Sequence, residues 1–380
     1  MNILLLAPHP FFQHRGTPIA VDLVLRVLSE RDDHIEVLTY HEGTDINYPN
    51  VKLHRIPAPL FIKDLSPGFS FKKLVCDSYM FFKAMGMVLR KKPDIIHAVE
   101  ESVFMAMMFK GLFQIAYIYD MDSSMPQQMV EKKTWLSFLL PFLRLFERAA
   151  IRGAEVVIPV CEALGDIAQK NDAKKAVILR DISLLEIREG GEDEDVLGPL
   201  SLKGTCFMYI GNLEPYQGID LLIDSFERLL GKTEDVELVI VGGSTSSIKA
   251  YEKKVPCRAI NKVHFIGPRP LQLMNALFQK ADVLVSPRIQ GLNTPMKVYS
   301  YLHSGRPVLA TDLPTHTQVL TSEISFLAKP QIEDFSEAMW TLANNETLRE
   351  KLGKCAKRFI EEHNSFSSFK GTLSELYDSL

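Results

Sequence analysis

No two cysteines in this sequence are spaced as CxxC, and the five present (Cys76, Cys161, Cys206, Cys257, Cys355) are odd in number and widely scattered. That pattern indicates neither a disulfide framework nor a zinc site, and it predicts a reducing compartment. Also lacking is any uninterrupted apolar run of membrane-spanning length. The apolar run Asn2 to Ala7 is short and gives way to Pro-His-Pro, so it reads as a first strand and not as the core of a signal peptide. The expectation is a cytoplasmic protein, with peripheral attachment to the inner face of a membrane left open. An excess of positive charge is missing too, and a formal net charge of -4 argues against nucleic acid as a partner.

What is present suits a soluble α/β protein of two domains. The chain has 380 residues, long for one domain, and 46% of them are hydrophobic, enough to bury two cores. Short runs rich in β-branched residues (Met1 to Ala7, Ile35 to Tyr40, Val51 to Ile56, Ile95 to Ala98, Ile115 to Tyr119, Val156 to Pro159) alternate with helical stretches such as Ile19 to Glu30, Phe71 to Arg90 and Val103 to Leu112. This alternation predicts a doubly wound parallel sheet. Glu186 to Pro199 is acidic, carries paired glycines and marks a boundary. A second alternation follows: Cys206 to Ile210, Val236 to Val241, Val263 to Ile266, Val283 to Ser286, Val308 to Ala310 and Ser325 to Ala328, then helix from Asp334 to Leu380. The predicted domains are 1–185 and 186–360, with 361–380 a terminal helix.

Ligands in open α/β sheets collect at the carboxyl ends of strands, so the residues there are the candidates. In the second half Gly211-Asn212, with Gln217 and Gly218, follows one strand, and Gly242-Gly243 follows the next. Gly291-Leu-Asn-Thr-Pro295 lies between a strand and the helix Met296 to His303, with Thr294 as its N-cap and Gly305 at its left-handed end. Three glycine-bearing loops on one edge form a plausible anion cradle. In the first half the loop Pro8 to Pro18 carries Arg15, Gly16 and Thr17. His97 and Glu100 follow one strand, and Asp120 and Asp122 follow another. Each of these acids also suits a cap or turn, so the functional and structural readings stand side by side. The stretch Trp135 to Phe146 is strongly hydrophobic with basic flanks, which fits a bilayer surface or a core helix whose basic ends snorkel, and Pro141 is expected to break it.

Several stretches, in order, resemble glycosyltransferase family 4. YIGNLEPYQGIDLLIDSF (Tyr209 to Phe226), VELVIVGG, NKVHFIGPRPLQLMNALFQKADVLVSP and SYLHSGRPVLATD look like its C-terminal half. NILLLAPHPFFQHRGTPIAV, PDIIHAVEES and ERAAIRGAEVVIPVCEAL are similar to its N-terminal half. The resemblance implies the GT-B fold, two Rossmann-like domains facing across a cleft with a C-terminal helix crossing back to the first. It also implies transfer of a hexose from a nucleotide-diphosphate sugar, UDP- or GDP-linked, with retention and with neither metal nor cofactor. The acceptor expected is lipid-linked or a cell-envelope glycan.

Departures fall on the family's charged residues. Asn212 and Gln217 stand where the family has arginine and lysine, Leu292 and Ser300 where it has an acid pair, and Met121 where a histidine often precedes Asp122. The donor diphosphate is therefore assigned to Lys297 and Arg288 with the amides of Asn293 and Thr294, and the ribose to Ser300. The acceptor hydroxyl is assigned to Asp122, then Asp120 and Glu100. The missing charges also fit an alternative, a catalytically inert GT-B subunit that partners an active transferase.

Overall fold

The computed structural model of the protein describes residues 1–13, 16–60, 62–63, 65, 70–126, 138–185, 196–198, 200 and 202–380. It divides into two compact units, Met1–Arg180 with Lys370–Leu380, and Asp181–Phe369. Most of the acidic stretch read as the boundary lies outside the described residues.

The first unit is built on β1 (Asn2–Ala7), β2 (His34–Thr39), β3 (Val51–Arg55), β4 (Ile95–Val99), β5 (Ala116–Met121) and β6 (Val156–Pro159), all parallel, in the order β3-β2-β1-β4-β5-β6. Continuous apolar strands such as β1 are what burial on both faces demands. The order reverses between β1 and β4, so the crevice at their carboxyl ends is this sheet's switch point. Helices α1 (Gly16–Ser29), α2 (Phe71–Arg90), α3 (Val103–Phe113), α4 (Leu140–Gly153) and α5 (Glu162–Lys170) complete the alternation. Inner residues of α2, α3, α4 and α5 share one core, through Met80, Phe109, Ile151 and Leu164.

The second unit repeats the plan with β7 (Thr205–Ile210), α6 (Ile219–Leu230), β8 (Val236–Val241), α7 (Thr245–Glu252), β9 (Val263–Gly267), α8 (Met274–Lys280), β10 (Val283–Ser286), α9 (Met296–His303), β11 (Val308–Thr311), α10 (Pro314–Thr317) and β12 (Phe326–Ala328). Its parallel order, β12-β11-β10-β7-β8-β9, places the switch point between β10 and β7. The chain then runs through α11 (Ile332–Ala343) and α12 (Glu346–His363) into α13 (Phe366–Asp378), within which it passes back to the first unit.

Four local expectations are corrected. Helix α1 begins at Gly16, so Gly16 and Thr17 occupy its first turn and not a loop; Pro18 is tolerated there because first-turn amides have no helical partner. Arg15 lies outside the described residues. Pro141 sits in the first turn of α4 and starts a helix where the sequence suggested a break. Trp135 itself lies outside the described residues. Pro295, not Thr294, takes the cap position of α9, and no side chain caps that end. The helical tail is three helices, separated near Asn345, whose side chain caps α12 through Leu348 N, and near Asn364.

Candidate functional site

Two sets of candidate residues sit at the two switch points. In the second unit, β7 ends at Ile210 and the chain turns through Gly211 at φ +157°, where a Cβ would lie 2.7 Å from Tyr209 Oη and 3.1 Å from Lys297 Nζ. Glycine there leaves room for the lysine. Lys297 enters from the first turn of α9, on the other side of the switch point, and its Nζ stands 3.9 Å from the centre of the Tyr209 ring. It also donates to Gln217 Oε1 at 3.3 Å. Among the described residues no carboxylate pairs with it. Over its length the side chain is half-buried, and burial of the charged end first, then the nearby positive Arg288, hold the ammonium well below the usual lysine range. A desolvated cation whose neighbours among the described residues include an amide oxygen, a ring face and a second cation favours an anion beside it.

The loop between β10 and α9 is held from one side. Thr311 Oγ1 donates to Arg288 O at 2.5 Å, Thr315 Oγ1 to Asn293 O at 2.8 Å and Gln318 Nε2 to Leu292 O at 2.6 Å. Under the loop, His316 Nδ1 is 3.0 Å from Thr311 O and its Nε2 2.8 Å from Ser286 Oγ. A carbonyl only accepts, so Nδ1 carries the proton and Nε2 accepts from Ser286. Burial, and the positive Arg288 and Lys297, push this imidazole down to about 3, so it stays neutral beneath the cations. Among the described residues nothing accepts from the amides of Asn293 and Thr294, and the buried Thr294 Oγ1 has no partner.

The other donor-side candidates are placed as follows. Arg288 is folded onto its own loop, donating through Nε to Gln290 O at 2.6 Å and through Nη2 to Asn293 Oδ1 at 2.9 Å, and it lies over Tyr216. Its charge reaches the site while its donors are partly engaged. Asn212 Nδ2 meets Tyr216 Oη at 3.3 Å, and its Oδ1 accepts from Glu214 N. Gly242 and Gly243 follow β8 and lead into α7, capped by Ser244, and Gly291 turns at φ +108° beside Arg288. Ser300 Oγ accepts from Leu184 N at 3.1 Å, so the hydroxyl that stands in the place of an acid fastens the start of this unit to α9. Tyr209 and Tyr301 escaped the sequence reading. Tyr209 Oη donates to Asn212 O at 2.6 Å, and Tyr301 Oη bonds both backbone groups of Ile210, which fixes the glycine turn. A tyrosine one turn after a helix lysine is the signal that was available for Tyr301.

In the first unit, Glu100 follows β4 at φ +48°, uncommon for a residue with a side chain. Its carboxyl is pushed up to about 7, by burial first and by the Glu101 charge second. Ser123 Oγ donates to Glu100 Oε1 at 3.4 Å, which brings the turn after β5, with the half-buried Asp122, to the same place. Glu101 pairs with Lys73 of α2, and Tyr40 Oη donates at 2.5 Å to Asp77, whose carboxyl is also raised to about 7 by burial and by Glu101. His97 is not on a loop. It lies inside β4, fully buried, between Asp120 Oδ2 at 3.1 Å from Nε2 and Tyr377 Oη of α13 at 2.7 Å from Nδ1. Asp120 likewise lies within β5, buried, because β5 runs on to Met121. Carboxyls poised near neutrality can take up or release a proton. Among the described residues no group of three or more His, Cys, Asp or Glu side chains is placed to hold a metal.

Comparison with known proteins bears on the fold. Residues 204–345 match the family model described as "Glycosyl transferases group 1". An uncharacterized glycosyltransferase of Methanocaldococcus jannaschii is 20% identical, over 99% of this chain and 98% of that one. Sucrose-phosphate synthase from Thermosynechococcus elongatus superimposes with a TM-score of 0.81 at 16% identity, covering 100% of this chain and 98% of that one. HepE of Anabaena in complex with UDP-glucose gives a TM-score of 0.75 at 14% identity, covering 100% of both chains. The two parallel six-stranded sheets with their helices have the GT-B architecture.

Proposed function

We propose that this GT-B glycosyltransferase moves a hexose from a UDP- or GDP-linked sugar to a lipid-linked or cell-envelope glycan acceptor, with retention of configuration. The observation that carries the donor half is the Lys297 ammonium, desolvated and without a carboxylate among the described residues, at the switch point of the second sheet. A diphosphate there meets that charge, the field of Arg288 and the amides that open α9. As the bond to the sugar breaks, negative charge grows on the leaving phosphate. A fixed cation beside it is worth more at that moment than in the ground state. Neither a metal nor a cofactor is assigned a step.

On the acceptor side, Asp122, Asp120 and Glu100 are the carboxyl groups proposed to orient the hydroxyl and receive its proton. Same-face transfer asks for orientation and charge stabilisation more than for a strong nucleophile. The acceptor's lipid or envelope character is supported by the apolar, basic surface of the first unit, on which peripheral membrane contact on the inner face is also proposed. The test is nucleotide release from a panel of UDP- and GDP-sugars, with and without a lipid extract. Release that rises with the extract is expected. Donor binding without turnover under any condition would favour the inert subunit, and no binding of either nucleotide would sink the reading.

A further inference from the structure

Helix α2 has two apolar sides. Met80, Ala84 and Val88 face the core, and Phe71, Leu74, Phe82 and Leu89 form a second row on the solvent side, with Phe71 78% and Phe82 73% exposed. Their spacing keeps them in one stripe along a helix of 20 residues, on the order of 30 Å. The stripe does not end with α2. Phe81 stacks on Phe109 of α3, and Phe104 of α3 meets Phe146 of α4 edge to face, so the three helices lie side by side. On α3 and α4, Met108, Leu112, Phe142 and Leu145 are exposed. Exposed apolar side chains gathered on three neighbouring helices mark an interaction surface.

Charge selects the partner. The only acids on the three helices are Asp77, bonded to Tyr40, and Glu147, which is buried. Among the described residues Lys72, Arg90 and Arg144 on these helices, and Lys91 and Lys92 after α2, form no salt bridge, although Arg144 feels the charge of the buried Glu147 and Lys91 that of Asp94. A second copy of this face would set those cations against each other, whereas an apolar layer under anionic headgroups satisfies both the stripe and its cations. Among the described residues no helix is long and apolar enough to cross a membrane, so the contact is one of lying on the surface.

We propose that the outer face of α2, α3 and α4 docks on an anionic phospholipid bilayer and aligns the acceptor carboxylates with it. The face is tied directly to those groups. Lys73 in the first turn of α2 pairs with Glu101 beside Glu100, and Glu147 of α4 accepts hydrogen bonds from Ser124 and Met125, just past β5. An acceptor anchored in the bilayer thus meets the site from the apolar side. This last step rests on the transfer reading; the docking does not.

The test is sedimentation of the full chain with vesicles of phosphatidylcholine alone and of phosphatidylcholine containing phosphatidylglycerol. The anionic vesicles should bind it more tightly, in a salt-sensitive way. Replacing exposed side chains, Phe82→Asp with Leu89→Asp, should weaken binding at least roughly tenfold. The same variant should bind UDP as the wild type does, which separates loss of docking from failure of the donor site. Equal binding of variant and wild type, no preference for the anionic vesicles, or a dimer in light scattering that the double substitution dissociates would each overturn the proposal.

Discussion

The rings of His97 and Tyr377 lie within 1° of parallel, with 6.2 Å between centroids, and the tyrosine hydroxyl reaches the imidazole Nδ1 at 2.7 Å. On the other side Nε2 faces the Asp120 carboxylate, which can only accept when ionised. One arrangement satisfies all three: Tyr377 donates to Nδ1, and Nε2–H donates to Asp120. Tyr377→Phe leaves a buried nitrogen unsatisfied and should cost about 1–3 kcal/mol in chemical denaturation. In the nitrogen chemical shifts of His97 the Nδ1 signal should move toward that of a free acceptor. An unchanged stability together with an unchanged shift would show that the contact contributes nothing.

Lys297→Ala should weaken binding of a nucleotide-diphosphate sugar roughly tenfold or more, about 1.4 kcal/mol, read by calorimetry. Lys297→Arg should not restore it fully, since the glycine turn and the Tyr209 ring leave room for a compact ammonium. Wild-type affinity in the alanine variant would remove the lysine from the site.

Binding should also carry protons. Lys297 is held well below its ordinary value by burial, and a diphosphate brought beside it raises that value again. At mildly alkaline pH the complex should therefore take up protons. Titrating UDP in two buffers of different ionisation enthalpy should give different apparent heats, and identical heats would contradict it.

Gly211→Ala places a methyl group between Tyr209 and Lys297 in a backbone conformation that side chains rarely adopt. Nucleotide affinity should fall along with thermal stability. Gly16→Ala, in an open first turn of α1 where a Cβ meets nothing within 4 Å, should leave the fold intact.

The raised carboxyl of Glu100 has a signed consequence for stability. Its folded value of about 7 exceeds the ordinary 4.5, so between these limits the folded state holds more proton than the unfolded one. Stability then falls as pH rises through that window and levels off above it. Glu100→Gln should flatten this part of the profile and be the more stable form above it, by on the order of 1 kcal/mol once solvent screening is allowed for. Parallel profiles for variant and wild type would refute the assignment.

Asp122→Asn should retain the fold and nucleotide binding while transfer falls on the order of a hundredfold or more, the scale of losing one acid–base group. Full transfer would pass the role to Asp120 or Glu100.

The alternating strands and helices were legible because apolar, β-branched runs bounded by glycine and proline encode a two-face-buried sheet locally. Helices α2 and α9 begin and end where the sequence places them. The site was legible only as a set of loops. What makes Lys297 a distinctive group is its nearness to Gln217 and Tyr209, dozens of residues away, and no local pattern records that. His97 and Tyr377 are 280 positions apart, which is why His97 looked like a loop residue and Tyr377 like nothing in particular. Helix starts at Gly16 and Leu140 were misread because a proline inside the first turn looks, in sequence, like one that ends a helix.

The return of residues 370–380 to the first unit constrains the order of events during synthesis. Residues 1–180 leave the ribosome with the place of Tyr377 over His97 unfilled, while the intervening unit can fold on its own contacts as it emerges. The first unit then remains an incomplete intermediate, with a polar buried histidine open to water, until the ring of Tyr377 closes over it. Chaperone dependence and proteolytic sensitivity of the nascent chain should concentrate in that interval.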